Sequence, residues 1–390
     1  LQNPLTRGRW HLERGYMVRL GEARAAFFSA QPGASVVGAT ASILLEADEA
    51  QDIAEDKWNK DFRPMGAATN VTTVLWGTAW TSRTLLARTV RTLERLEAQD
   101  GLRRVFAVPW PRVAAEVPAY DRYVQGEMDR LGATHPLVRT QYALEEIDAE
   151  AGMFPPERRE RMRGNHPPHT APQPGAVYAL TVDVAGQAAE GETSPAARAT
   201  RDCTACTLFA IDLVGPLDPL AGRPRYLVVH RWWWRGLSQA DLYRRLVDLA
   251  ETWLPQYIVV DATGLGAGLA SFLQARLGER VRPFVFSGAT KSALGWGFLA
   301  LCDTGRFKDH VPDGSTAQEH FWRQVAAAQY DTLPGPDRRL RWGVSDPQTH
   351  DDLLVSAALC AALDDVTWAA AQSLVVPALD PLQQMDEAGF

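Results

Sequence analysis

Short apolar runs alternate along the chain with segments of helical spacing, and that order predicts an α/β protein. In the front part, residues 42–47 (Ser-Ile-Leu-Leu-Glu-Ala) and 71–76 (Val-Thr-Thr-Val-Leu-Trp) read as strands, the second stopped by Gly77. Leu85, Leu86, Val90, Leu93 and Leu96 fall on one face of a helix. In the back part three strand candidates come in series, at 177–184, 206–214 and 226–234. A helix is expected at about 238–253, a strand at 257–261, a helix at 267–277 and a short strand at 282–286. Helical patterns follow at 291–301 and 316–328, then a hairpin whose turn is Pro334-Gly-Pro336, and a last helix at 351–363.

Between these parts lies a proline-rich stretch, 151–175. Repeated prolines suit neither a helix interior nor a central strand, so a linker is expected there. The resulting domains are 1–150, the linker 151–175, 176–366, and a tail at 367–390 with no clear element. At 390 residues two domains are also what length alone suggests. The composition, 46% hydrophobic and 22% charged, is that of an ordinary globular protein. No apolar run reaches the roughly 18 residues of a membrane span, and no signal-peptide pattern opens the chain, so no membrane partner is expected. Four cysteines make no disulfide framework; Cys203-Thr-Ala-Cys206 lacks the further ligands a structural zinc needs. The net charge of −7 counts mildly against a nucleic-acid partner, although arginines cluster at 158–163 and 338–341.

The chemistry concentrates in acids. Asp183 ends the run Tyr178-Ala-Leu-Thr-Val-Asp183, and Asp261 ends Tyr257-Ile-Val-Val-Asp261. Asp351 and Asp352 open the last helix. A carboxylate at the end of a buried strand is costly to desolvate unless it is paired or binds a cation. Three strands, a helical crossover and a fourth strand let the first and fourth strands lie side by side, about 4.8 Å apart. Their C-terminal ends are where open α/β sheets put ligands. Hard cations such as Mg²⁺ or Mn²⁺ suit such oxygens, and two ions would clamp both oxygens of a phosphoryl displacement. Metal-dependent phosphodiester hydrolysis is therefore expected. In the front part, Asp48-Glu49 after a strand has the pattern of a Walker B pair, with Asp48 on a Mg²⁺-bound water and Glu49 on the attacking water. No Gly-x-x-x-x-Gly-Lys-[Ser/Thr] phosphate loop accompanies it; Gly33-Ala-Ser-Val-Val-Gly38 has the glycines without the Lys.

This element order is that of a ribonuclease H-like fold, and from about 15 to 363 the chain resembles the large terminase subunits of tailed bacteriophages. Tyr16-Met-Val-Arg-Leu-Gly-Glu22 is similar to the strand before the Walker B element, and Leu44-Leu-Glu-Ala-Asp-Glu-Ala-Gln51 to that element itself. Leu75-Trp-Gly-Thr-Ala79 resembles the coupling segment, with Ala79 in place of its usual Pro, and Phe154-Pro-Pro-Glu157 the exit from the ATPase domain. Leu180-Thr-Val-Asp183, Val259-Val-Asp261 and His350-Asp-Asp-Leu353 resemble the three nuclease motifs. The resemblance implies a partial P-loop ATPase-type domain lacking its N-terminal phosphate-loop part, followed by a nuclease domain with a mixed sheet flanked by helices. It implies an endonuclease for double-stranded DNA, with two Mg²⁺ or Mn²⁺ ions on Asp183, Asp261 and one of the neighbours Asp351 and Asp352, of which Asp352 is favoured. Lys291 is expected on a DNA phosphate, and ATP belongs to the full-length motor. The implied partners are a portal protein, a small terminase subunit and further copies in a ring on the procapsid, in the cytoplasm of a bacterial host. A junction-resolving nuclease of the same fold and a non-catalytic packaging module are the alternatives. Trp232-Trp-Trp234 is expected to pack a strand on a helix rather than stack on bases.

Overall fold

A computed structural model of the protein describes residues 3–4, 6–31, 33–36, 38–147, 152–184, 203–213, 223–333, 339–344 and 349–369. These fall into two compact units, one drawn from 1–127, 134–148 and 332–339, the other from 128–133, 149–331 and 340–390. The expected hairpin turn at 334–336 and most of the tail lie outside the described residues.

In the first unit, β1 (Trp10–Glu13), β2 (Met17–Leu20) and β3 (Ala23–Ala26) form an antiparallel meander. Its turns are short enough to need left-handed backbone, supplied at Gly15 (φ 76°) and Gly21 (φ 61°). The segment similar to a strand before the acidic pair thus pairs only within this meander. A separate parallel pair, β4 (Leu44–Ala47) and β5 (Thr72–Leu75), runs in register from Leu44↔Thr72 to Ala47↔Leu75. Leu45 and Ala47 of β4 point into a small core with Trp58, Phe62, Met65 and Leu85, while Leu44 and Glu46 face outward. Helix α1 (Leu85–Asp100) starts where the Thr84 side chain accepts from the Ala87 amide, and stops at Gly101.

The second unit is built on a six-stranded sheet. Its strands are β6 (Val177–Asp183), β7 (Cys203–Asp212), β8 (Arg225–Arg235), β9 (Tyr257–Asp261), β10 (Val281–Phe284) and β11 (Phe307–Lys308), in the spatial order β10-β9-β6-β7-β8-β11. β6, β7 and β8 are antiparallel neighbours; β9 lies parallel to β6, and β10 parallel to β9. The return from β8 to β9 runs through α3 (Gln239–Trp253), and α4 (Gly266–Leu277) links β9 to β10. Both helices cover one face, where Leu242, Leu246, Leu269 and Leu273 meet Leu180, Val182, Ile258 and Val260. The other face is covered by α5 (Gly288–Asp303), α6 (Thr316–Ala327) and α7 (Asp352–Ala358), through Phe298, Phe321 and Leu354 against Ala179, Phe209 and Val259. The strands β12 (Ala328–Thr332) and β13 (Leu340–Val344) form a small second sheet.

The proline-rich stretch is packed rather than free. Met153, Phe154 and Met162 are buried in the core beneath α5, and Pro156 opens a helix of its own, α2 (Pro156–Met162), at the position where a missing amide costs nothing. Arg158, first of the arginine cluster, is buried and forks onto Asp303 with bonds of 2.6 and 2.9 Å. The apolar residues flanking the prolines explain why this segment joins the second unit.

A local irregularity in β8 matters for the site. The pairing of β7 with β8 shifts between Leu208 and Phe209, and Val229 is left over as a bulge. A bulge changes which face the following side chains take. Before it, Tyr226 and Val228 face α5–α7; beyond it, Trp232 and Trp234 face α3 while Arg231 and Trp233 face α6 and α7. As expected from the sequence, Trp232 and Trp234 pack a strand on a helix.

Candidate metal centre

Alternation along β6 puts Val177, Ala179, Thr181 and Asp183 on the face that α7 covers. Tyr257, Val259 and Asp261 of β9 take the same face. The last parallel partners are Val182↔Val260, so Asp183 and Asp261 are the next positions of adjacent strands. Helix α7 lies across them, fixed by Thr181 Oγ1 donating to the Ser356 carbonyl at 2.7 Å and by a Thr207–Ser356 hydroxyl pair at 2.7 Å. Ala357 and Ala358, both fully buried, permit this close approach. The N-terminus of α7 therefore brings Asp351 and Asp352 to the same end of the sheet.

The four acids differ in their partners. Asp261 is buried, and one oxygen accepts from the Thr263 amide at 2.8 Å; loss of water raises its pKa above the ordinary carboxylate range. Asp183 has no hydrogen-bond donor on its carboxylate among the described residues. Burial pushes its pKa well above the usual range, the negative fields of Asp261, Asp351 and Asp352 push it further, and Lys291 opposes them. Asp351 is half-buried with its Oδ2 3.8 Å from the Lys291 ammonium. Asp352 is buried, and each of its oxygens accepts a side-chain hydrogen bond: Gln324 Nε2 donates to Oδ1 at 2.7 Å and Trp233 Nε1 to Oδ2 at 2.9 Å. Gln324 in turn accepts from the Leu354 amide at 2.8 Å, which locks the pair to the first turn of α7.

A hard cation suits this donor set. All the converging groups are carboxylates, and one of them is held in the field of three like charges with no donor to relieve it. Among the described residues no three His, Cys, Asp or Glu side chains are gathered at metal-holding distance. Trp233 and Gln324 were not legible as site residues, because Gln324 lies 28 positions before its partner and only the fold brings them together. Lys291 sits in the first turns of α5, behind a Ser287–Thr290 capping box, with its ammonium also 5.4 Å from the Trp342 ring.

Backbone closeness is part of the site. A Cβ on Gly266, at the start of α4, would overlap the Asp261 carbonyl oxygen. Gly266→Ala is expected to destabilise the fold by roughly 1–3 kcal/mol, as overpacking against immovable backbone does, and so to lower the melting temperature in a thermal scan. An unchanged melting temperature would mean that β9 and α4 are not this tightly joined.

The remaining candidates sit elsewhere. Asp48 and Glu49 follow β4 and are exposed; Glu49 adopts left-handed backbone (φ 48°), and its carboxylate is hydrogen-bonded to Gln51. The other end of Gln51 accepts from the Thr78 amide at 3.1 Å, across Gly77, where any side chain would collide with it. The acidic pair and the segment after β5 are thus joined through one glutamine. Cys203 and Cys206, both buried, are three apart on β7, which sends their thiols to opposite faces and rules out a shared metal. No helix among the described residues is long and apolar enough to cross a membrane.

Comparison with known proteins adds a family. Residues 219–363, which hold Asp261, Asp351 and Asp352, match the family described as the terminase RNaseH-like domain. No curated protein matches the chain. Among solved structures, the large terminase nuclease of thermophilic phage G20c with bound magnesium is 17% identical over 55% of this chain and 98% of its own, with a TM-score of 0.40. The large terminase of a second thermophilic bacteriophage, in complex with ADP, is 11% identical over 88% of this chain and 75% of its own, with a TM-score of 0.49.

Proposed function

We propose that this chain, whose residues 219–363 match the terminase RNaseH-like domain, is a metal-dependent endonuclease that cuts double-stranded DNA during phage genome packaging. The observation that carries this reading is the unpartnered carboxylate of Asp183, beside Asp261 on one face of the sheet and in the fields of Asp351 and Asp352. Asp183, Asp261 and Asp351 are the metal ligands in this reading. Asp351 is placed ahead of Asp352 because Gln324 and Trp233 each hold one oxygen of Asp352 in a fixed orientation, which leaves Asp352 only its remaining lone pairs and Asp351 the freer carboxylate.

Held by these carboxylates, Mg²⁺ or Mn²⁺ would make a bound water acidic enough to attack and would neutralise the leaving 3′ oxygen. The chain's own groups do the rest. Asp352, clamped by Trp233 and Gln324, fixes the first turn of α7 and so the position of Asp351. Lys291 stands next to Asp351 with an ammonium suited to a phosphate oxygen. Asp48 and Glu49 are assigned to the nucleotide side of a coupled ATPase, with Gln51 carrying their state to Thr78. The same reading brings a portal, a small terminase subunit and a ring of copies as partners, in the cytoplasm of the host cell.

The test is cleavage of supercoiled and linear plasmid DNA. Cutting of both with Mn²⁺ or Mg²⁺, stopped by EDTA, is the expected result. Cutting confined to branched junctions would favour a resolving nuclease, and no cutting together with no Mn²⁺ binding would leave a packaging module without catalysis.

A further inference from the structure

A cavity of about 320 Å³ opens in the second unit beside the acid cluster, between the end of β8, α6 and the residues preceding α7. Trp233 and Arg235 line it from β8, His320, Arg323 and Gln324 from α6, and His350 from the approach to α7. Two of these, Trp233 and Gln324, are the residues that hold Asp352, so whatever fills the cavity lies one side chain away from the acids.

Its lining has a definite chemistry. Arg235 and Arg323 are exposed, and among the described residues neither has a carboxylate partner. Most other arginines of the unit do: Arg158, Arg225, Arg231, Arg276 and Arg306 each pair with an acid. Arg235 Nε donates to the Cys203 sulfur at 3.3 Å, and guanidinium groups without a carboxylate partner converging on one space suit a phosphate. Beside them, the rings of Trp233 and His320 lie 4.4 Å apart between centroids, and the Arg235 guanidinium stands 5.7 Å from the Trp233 ring. Aromatic and guanidinium planes are the groups on which unstacked bases stack. A base inside a continuous duplex has both faces covered by its neighbours, so it cannot use them.

We propose that this cavity holds one unpaired nucleotide of DNA next to the strand being cut, with its phosphate on Arg235 and Arg323 and its base against the Trp233–His320 pair. It rests on the nuclease reading for the identity of the polymer. The size agrees, since the volume is at the low end of the ~300–1,000 Å³ typical of small-ligand sites. The bulge in β8 is what turns Trp233, rather than a neighbouring tryptophan, into this space.

The experiment is metal-free binding by the whole chain in EDTA, read as fluorescence anisotropy of a short labelled single strand and of the same sequence as a blunt duplex. The single strand is expected to bind more tightly than the duplex. Arg323→Ala, an exposed change, is expected to weaken single-strand binding severalfold or more. Trp233→Leu is expected to weaken it roughly five- to 150-fold, which is ~1–3 kcal/mol per stacked base converted to a ratio. Trp233→Phe keeps a ring but loses the indole N–H; it should retain most of the binding while slowing metal-dependent cleavage, which separates stacking from the support of Asp352. The proposal is overturned if Arg323→Ala and Trp233→Leu both bind single strand like the unaltered chain, or if inorganic phosphate at matched phosphate concentration displaces the strand as well as unlabelled strand does. Unaffected single-strand binding by Arg323→Ala and Trp233→Leu, in a protein that cleaves when unaltered, would sink the cavity alone. Binding lost as expected in a chain that never cleaves would sink the nuclease reading alone.

Discussion

Asp183→Asn is expected to abolish metal-dependent DNA cleavage, by about a thousandfold or more, the order that several kcal/mol of transition-state stabilisation represents. The same substitution is expected to make the metal-free protein more stable. The Asp183 carboxyl is raised in pKa by burial and by its three acidic neighbours, so the folded state holds that proton more tightly than the unfolded chain does. Stability from this source is present at pH values below the ordinary carboxylate range and is lost as pH rises through the higher folded value. Asparagine carries no such loss. In EDTA near neutral pH the variant should therefore melt above the unaltered protein, and below the ordinary carboxylate range the difference should vanish. Adding Mn²⁺ should reverse the order, because a ligand at a hundred times its Kd stabilises the state that binds it by about 2.7 kcal/mol. Thermal denaturation over a pH series, with EDTA and with Mn²⁺, measures all of this. An Asn variant stabilised by Mn²⁺ as strongly as the unaltered chain would remove Asp183 from the metal site.

The second large effect is structural. Asp309 is fully buried; one oxygen accepts from Arg231 at 2.6 Å and the other from Gln318 at 3.1 Å. Its backbone ties the approach to β6 to the sheet, accepting from Gly164 and donating to Met162, each at 2.7 Å. Arg231 is nearly as buried and lies over the Phe321 ring at 4.0 Å, but two of its nitrogens find no acceptor among the described residues. Asp309→Ala would leave that guanidinium charged and unpaired in the core, and is expected to cost about 3–5 kcal/mol. Replacing both partners, Asp309→Leu with Arg231→Met, is expected to recover most of the loss, because no buried charge remains. Denaturant unfolding of the single and double variants checks this. A single variant within about 1 kcal/mol of the unaltered protein would mean that water already reaches Arg231, since exposed ion pairs contribute no more than that.

Much of the second unit was legible because its strands are apolar and end at acids. The series of three strands, crossover helix and fourth strand followed from the runs ending at Asp183 and Asp261, and that order already put the two acids at matched ends of neighbouring strands. The terminase resemblance, too, agrees with the family matched over 219–363. What stayed hidden depends on partners distant in sequence. That Gln324 and Trp233 hold the two oxygens of Asp352 could not be read from the chain, because no local pattern marks them. Prolines at 155, 156, 167 and 168 suggested a free linker, yet Met153, Phe154 and Met162 bury themselves and carry the segment into the core. Arg158 resembled its partly exposed neighbours Arg159 and Arg161 until Asp303, 145 positions later, arrived beside it. In the first unit the strand within 16–22 was legible, but not its partners: the glycines at 15 and 21 fold it onto its own neighbours.

The bulge at Val229 turns three identical residues into a code. Trp232, Trp233 and Trp234 have the same chemistry, and only the count of residues before them decides which ring joins α3 and which meets Asp352. Were Val229 paired regularly instead of bulged, the composition would be untouched and that count would shift by one. Trp232 and Trp234 would then be offered to Asp352, and Trp233 and Arg231 to the hydrophobic side under α3, with Asp309 abandoned. A slip of one residue on a sheet strand would thus strike the core ion pair, the acid cluster and the neighbouring cavity together, whereas deleting Val229 itself would keep each of these side chains on its face. Substituting any one tryptophan would disturb only its own surroundings.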